Sequence, residues 1–169
     1  MKIKTDFVTN SSSSSFIVIF DKKINKLDDV LHLIPVEKKA RQVLKDAVRQ
    51  KPTKLTNNQK IIDRISTELS HGYIDELKSY SDYQADFCHR EGITVQDMYA
   101  NRAWMQAFYD EYEVIQTRLC KKKAIELVEN HSGKYMYLFN YGDEDGEFMS
   151  QMEHGGTFRN LPHIKINKH

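Results

Sequence analysis

The sequence predicts an α+β domain: strands from the two ends of the chain share one mostly antiparallel sheet, and a large helical middle segment packs on one face of it. Three observations predict this. Period-2 alternation of apolar and polar residues is confined to the two ends of the chain. Apolar residues at helical spacing fill the stretch between them. A length of 169 residues suffices for one core, whereas two domains would each lie near the lower size limit. The expected organisation is a single domain over 1–169, β over 1–23, helical over 26–132 and β over 134–169.

At the N-terminus, Ile3, Thr5 and Phe7 alternate with Lys2, Lys4 and Asp6, the pattern of a half-buried strand. The tract from Thr9 through Asn10 to Ser15 has the composition of a loop. Phe16-Ile17-Val18-Ile19-Phe20 is an apolar, β-branched run suited to a central strand covered on both faces. Leu27, Val30, Leu31 and Ile34 mark a short helix that stops at Pro35, which pushes its predecessor out of the α region. Val36 to Gln50 then carries Ala40, Val43, Leu44, Ala47 and Val48 on one helical face, and Lys51-Pro52-Thr53 breaks it.

Thr56 or Asn57 is positioned to cap a further helix through Ile61, Ile62, Ile65 and Leu69. Gly72 either ends this helix or is tolerated ahead of Ile74 and Leu77. Thr94, with Asp97 in the first turn, opens a long helix striped by Trp104, Phe108, Tyr112, Ile115 and Leu119, and Gly133 stops it. Tyr135, Tyr137 and Phe139 alternate with Met136, Leu138 and Asn140. Asp143-Glu144-Asp145-Gly146 reads as a turn from that strand into Glu147-Phe148-Met149, and His163 to Ile166 as a final strand.

Composition narrows the function classes. The chain has 25 Lys and Arg against 24 Asp and Glu, a formal charge of +1. This balance argues against a dedicated nucleic-acid binder, whose affinity rests on excess cationic side chains. The longest apolar run, Phe16–Phe20, falls far short of the ~20 residues a membrane helix needs. With no secretory signal after Lys2 and Lys4, a cytoplasmic location is expected. Cys88 and Cys120 form no CxxC pair and are expected to be buried thiols. No Gly-x-Ser-x-Gly elbow or recognisable cysteine context supports nucleophilic catalysis.

Three candidate sites remain. Asn10, Ser11, Ser12 and Ser13 offer hydroxyls and backbone amides that suit a phosphate, without the glycines and lysine of a P-loop. Asp143 and Asp145 supply hard oxygen for a divalent metal. An EF-hand register nevertheless puts Tyr141 at the first ligand position and Met152 at the twelfth. His154 and His163, with Glu153 and His169 alongside, complete a possible His/carboxylate metal site for water activation, although their spacing matches no zinc signature. Tyr99, Tyr109 and Tyr112, near Arg102 and Arg118, suit base stacking, but a stripe at helical spacing more often faces a core. Lys121-Lys122-Lys123 reads as a solvated face.

Met1 to Lys4, Phe7-Val8 and Asn10 to Phe16 resemble a segment that opens many uncharacterised bacterial and bacteriophage proteins. Asp6 and Thr9 stand where those proteins usually have glycine and serine. Tyr141 to Gly155, with Pro162-His163-Ile164 and His169, is similar to the tail of some of them. The resemblance implies a phage or mobile-element origin and attaches no activity. The expected function is therefore that of a small soluble accessory protein that binds a partner protein and does not catalyse. The alternative is a metal-dependent phosphoesterase or nuclease built on Asp143, Asp145, His154 and His163.

Overall fold

A computed structural model describes residues 13–72, 74, 79–142 and 146–168. The expected strand over 2–7 and the candidate residues Asn10, Ser11, Ser12, Asp143 and Asp145 lie outside the described residues. The elements in chain order begin with β1 (Ser13–Phe20), α1 (Asp28–Leu31), α2 (Glu37–Ala47), β2 (Thr53–Lys54) and α3 (Gln59–Ser70). There follow α4 (Tyr80–Glu91), α5 (Val95–Ala100), α6 (Arg102–Asn130), β3 (Tyr135–Gly142), α7 (Glu147–His154) and β4 (His163–Lys168).

The strands form one antiparallel sheet in the order β2-β3-β1-β4. β1 is central, so the beginning and the end of the described chain are neighbours. Ser13 pairs with Gly142 on one side and with Lys168 on the other. The α+β class and the shared sheet of terminal strands are as the sequence predicts.

The helices, however, divide between the two faces instead of covering one. Phe16, Val18, Phe20, Tyr137, Phe139 and Tyr141 face α1, α2 and α7, with Phe158 packed among them. Ile17, Ile19, Met136, Ile164 and Ile166 face α3 and the second half of α6. Every residue of Phe16–Phe20 is thereby buried, each large side chain contributing about 1.5–3 kcal/mol relative to exposure.

Four local expectations are corrected. Ser13, Ser14 and Ser15 belong to β1 instead of a loop, because their main chain is paired on both sides and the Ser14 and Ser15 hydroxyls are bonded to Glu153 and Asn140. Glu147-Phe148-Met149 opens a helix, not a strand. Gly146, at φ 95°, turns the chain, and Phe148, Met149 and Met152 at helical spacing then reach the sheet. The helix expected from Thr94 is two, broken at Asn101 (φ −118°, ψ 110°), whose side chain caps α6 by accepting from Ala103 N–H. The α3 cap is Asn58, which accepts from Lys60 N–H at 2.9 Å, one residue beyond the expected pair.

α6, 29 residues and ~43 Å long, serves as a shared spine. Its second half buries Cys120, Ala124, Leu127 and Val128 against α3 and the sheet. Its first half buries Phe108 in a separate cluster with Phe87, Cys88 and Met98. From Phe108 to Ala124 the helix turns through ~160° net, so the two halves pack on nearly opposite sides. α4, α5 and the first half of α6 therefore form an arm with its own small core.

Candidate functional site

The arm is built by short helices that carry their own caps. At the start of α4, Ser79 Oγ accepts from Asp82 N–H at 3.2 Å, and the Asp82 carboxylate accepts from Ser79 N–H at 3.2 Å. α4 ends at Gly92, whose φ of 67° is the left-handed turn a glycine takes without strain. Thr94 and Asp97 repeat the reciprocal cap at α5, with bonds of 3.0 and 3.1 Å. Hydrogen bonds from the Thr94 hydroxyl and main-chain N–H hold the Asp97 carboxyl below its usual range.

These caps bring six aromatic residues together. Tyr80 and Phe87 stand edge-on to Phe108 at 5.2 and 5.4 Å, and Tyr112 stacks on Phe108 at 5.9 Å. Trp104 stands edge-on to Phe87 and Tyr83 edge-on to Tyr112. Gln84, itself buried, donates to the Tyr99 hydroxyl at 2.9 Å. The Tyr80 hydroxyl pKa is raised, by burial first and then by the neighbouring Tyr109 and Tyr99 phenols. Arg90 of α4 grips the Glu111 carboxylate of α6 with two bonds, 2.9 and 2.6 Å, while lying over the Phe87 ring.

The outward surface of this arm is aromatic and acidic. Tyr99 and Tyr109 are 51% and 43% exposed, although Gln84 holds the Tyr99 hydroxyl and the Tyr109 ring packs beside Tyr80 and Phe108. Residues 80–114 contain Asp82, Asp86, Glu91, Asp97, Asp110, Glu111 and Glu113 against only Arg90 and Arg102. That leaves the arm five charges negative in a chain whose total is +1, so the remainder is strongly basic. The tyrosines are legible in the sequence as a stripe, and the concentration of acids around them is the further signal that marks this surface.

Of the residues singled out for a phosphate or a metal, Ser13, His154 and His163 are described, and they fall elsewhere. Ser13 is half-buried in β1. Next to it, Ser14 Oγ donates to Glu153 Oε1 at 2.6 Å and lies 3.2 Å from the Asn167 side-chain amide. Glu153 is buried, with Lys165 Nζ at 4.0 Å from Oε1 and His154 Nε2 at 3.7 Å from Oε2. His154 thus stands beside the serine end of the sheet. His163 pairs with Val18, four register positions from Ser14, or ~13 Å along the strand.

The His163 ring packs near Phe16 and Phe158, and its Nδ1 donates to Leu161 O at 2.9 Å. Among the described residues no three His, Cys, Asp or Glu side chains gather as a metal-binding group. Cys88 and Cys120 are buried free thiols, as expected, and burial pushes the Cys120 thiol pKa up. Among the described residues no helix is long and apolar enough to cross a membrane.

A cleft of about 280 Å³ opens at the other end of β1. Its apolar floor includes Phe20, Leu33 and Leu161, and its rim carries two lysine–aspartate pairs, Lys22–Asp29 at 2.7 Å and Lys134–Asp21 at 2.9 Å. Its charges are thus already paired, whereas the arm presents unbalanced charge together with exposed aromatic rings. No family model, curated protein or solved structure matches this chain.

Proposed function

We propose that the protein is a cytoplasmic accessory protein that works by binding another protein, and that the partner's basic surface docks on the arm formed by α4, α5 and the first half of α6. The accessory role and the phage or mobile-element setting rest on the resemblance of the N-terminal segment. The docking reading rests on one observation: Tyr99 and Tyr109 are exposed, yet the Tyr99 hydroxyl is held by Gln84 and the Tyr109 ring by Tyr80 and Phe108, on a surface five charges negative.

Ordered tyrosines bring large contact area at small entropic cost, and interface hot spots are enriched in them. Their rings attract lysine and arginine, and the surrounding carboxylates attract the same groups at longer range. A polyanion such as nucleic acid would meet repulsion on this face.

The test compares the intact protein with a Tyr99→Ala/Tyr109→Ala double variant as baits in a bacterial extract, with melting temperature checking the fold. The expected result is a captured protein rich in Lys and Arg that is released by raised salt and lost with the variant. Equal capture by both baits, or capture only of further copies of this chain, would overturn the reading.

A further inference from the structure

At the C-terminal end of α7 the chain turns through Gly155 and Gly156 and leaves a cleft of about 90 Å³ against residues 34–36, just before α2. Lys39 and Arg159 line it, and no acidic residue does. Lys39 Nζ donates to Gln151 O at 2.9 Å, beside the Gly155 N–H that the same carbonyl accepts, and to Gly155 O at 3.1 Å. It passes there because Gly155 has no side chain; a Cβ would collide with Nζ and with Gln151 O. Two of the three ammonium protons are thereby used, and one remains.

Arg159 is exposed and forms no ion pair or hydrogen bond through its side chain among the described residues. Its charge nevertheless reaches Lys39, whose amine is depressed first by burial and then by Arg159. Two neighbouring cations without an acid in a concave site are mutually unfavourable until an anion joins them.

The backbone supplies a second, independent feature. Gly155 (φ −82°, ψ 18°) and Gly156 (φ 60°) are consecutive right- and left-handed residues, the conformation that turns successive N–H groups into one concavity. No main-chain carbonyl among the described residues takes the N–H of Gly156 or Thr157.

We propose that this cleft binds a tetrahedral phosphate dianion, free or as the terminal group of a small phosphomonoester, between Lys39, Arg159 and the Gly155–Gly156 turn. The volume holds one phosphoryl group and leaves any organic remainder outside. This site is separate from the arm, so either proposal stands if the other fails.

The test is titration of the full chain with inorganic phosphate and with phenyl phosphate at fixed ionic strength, followed calorimetrically and by amide NMR shifts. Saturable binding is expected, with the largest shifts at Gly156 and Thr157. Arg159→Gln, which removes no structural contact, should weaken binding about ten-fold at unchanged melting temperature. Tighter binding of phenyl phosphate identifies a monoester ligand, and tighter binding of inorganic phosphate the free ion. Equal shifts with sodium chloride, or undiminished affinity in Arg159→Gln, would overturn the proposal.

Discussion

The side chain of Gln50 acts as a missing strand for Leu138. Its Nε2 donates to Leu138 O and its Oε1 accepts from Leu138 N–H, both at 2.9 Å. β2 pairs only with Tyr135 and Met136, so without Gln50 the next main-chain groups of β3 would face outward unpaired. An open strand edge invites pairing with another chain, and a side-chain amide closes it with the same donor and acceptor that a backbone would offer. Gln50→Ala is expected to cost about 1–2 kcal/mol and to promote self-association. Gln50→Glu, which cannot donate to Leu138 O, should fall between. Urea unfolding with size-exclusion chromatography reads both effects; unchanged stability and a monomeric Gln50→Ala profile would contradict the role given to Gln50.

Ser14 joins the opening of β1 to α7 through Glu153. The carboxylate is buried, and Ser14 Oγ is its one hydrogen-bond partner among the described residues. Ser14→Ala removes that donor and leaves the acceptor buried, at an expected cost of about 1–3 kcal/mol. Converting both positions together, with Glu153→Gln, should recover part of the loss, since the buried carboxylate charge is then removed together with its hydrogen-bond donor. Equilibrium unfolding of the two single variants and the double variant measures the coupling; additive losses would show that the pair is not one unit.

Asp29 makes stability depend on acid. Its carboxylate takes the Lys22 ammonium at 2.7 Å and the N–H groups of Asn25 and Lys26 at 3.0 Å each, and these hold its carboxyl well below the usual range. The folded value lies below the unfolded one of ~3.9, so the stabilisation is complete above about pH 4 and is lost as pH falls through the folded value. Asp29→Asn should therefore be less stable than the parent near neutrality, and the two should converge as pH drops below about 4. Unfolding curves at several pH values test this. Curves that stay parallel would count against it.

Gly72 packs closely against β4, the edge strand of the sheet. A Cβ there would collide with the Asn167 carbonyl oxygen and lie 2.8 Å from Ile166 Cγ2. The neighbouring Ile74 is buried on the same cluster as Ile164 and Ile166. Gly72→Ala should cost about 1–3 kcal/mol through overpacking. Hydrogen exchange would then rise first along β4; uniform loss of protection across the sheet would contradict a local clash.

Much of the fold was legible because its signals are local. Phe16–Phe20 reads as a doubly covered strand, and the alternation of Tyr135, Tyr137 and Phe139 gives β3 directly. α6 resisted such reading because its apolar stripe changes sides between Phe108 and Ala124, so no single face describes it. α7 falls in the stretch expected to be β because Glu147-Phe148-Met149 is short, and only Met152 and Gly155 beyond it reveal the helix. Lys39 and Arg159, or Gln50 and Leu138, meet across long stretches of chain and leave no spacing to detect. For the arm, the tyrosines and the surplus of acids were both visible in the sequence. What was hidden is that Tyr99 and Tyr109 stay exposed while Tyr80 and Phe108 turn inward.

The most direct test of the docking account places a photo-crosslinking amino acid at Tyr99 and, separately, at Val48, which is exposed to a similar degree at the end of α2. Attachment of a Lys- and Arg-rich protein from position 99 alone, suppressed by high salt, is the predicted result. Equal labelling from both positions, or attachment at 99 that salt leaves untouched, would contradict it.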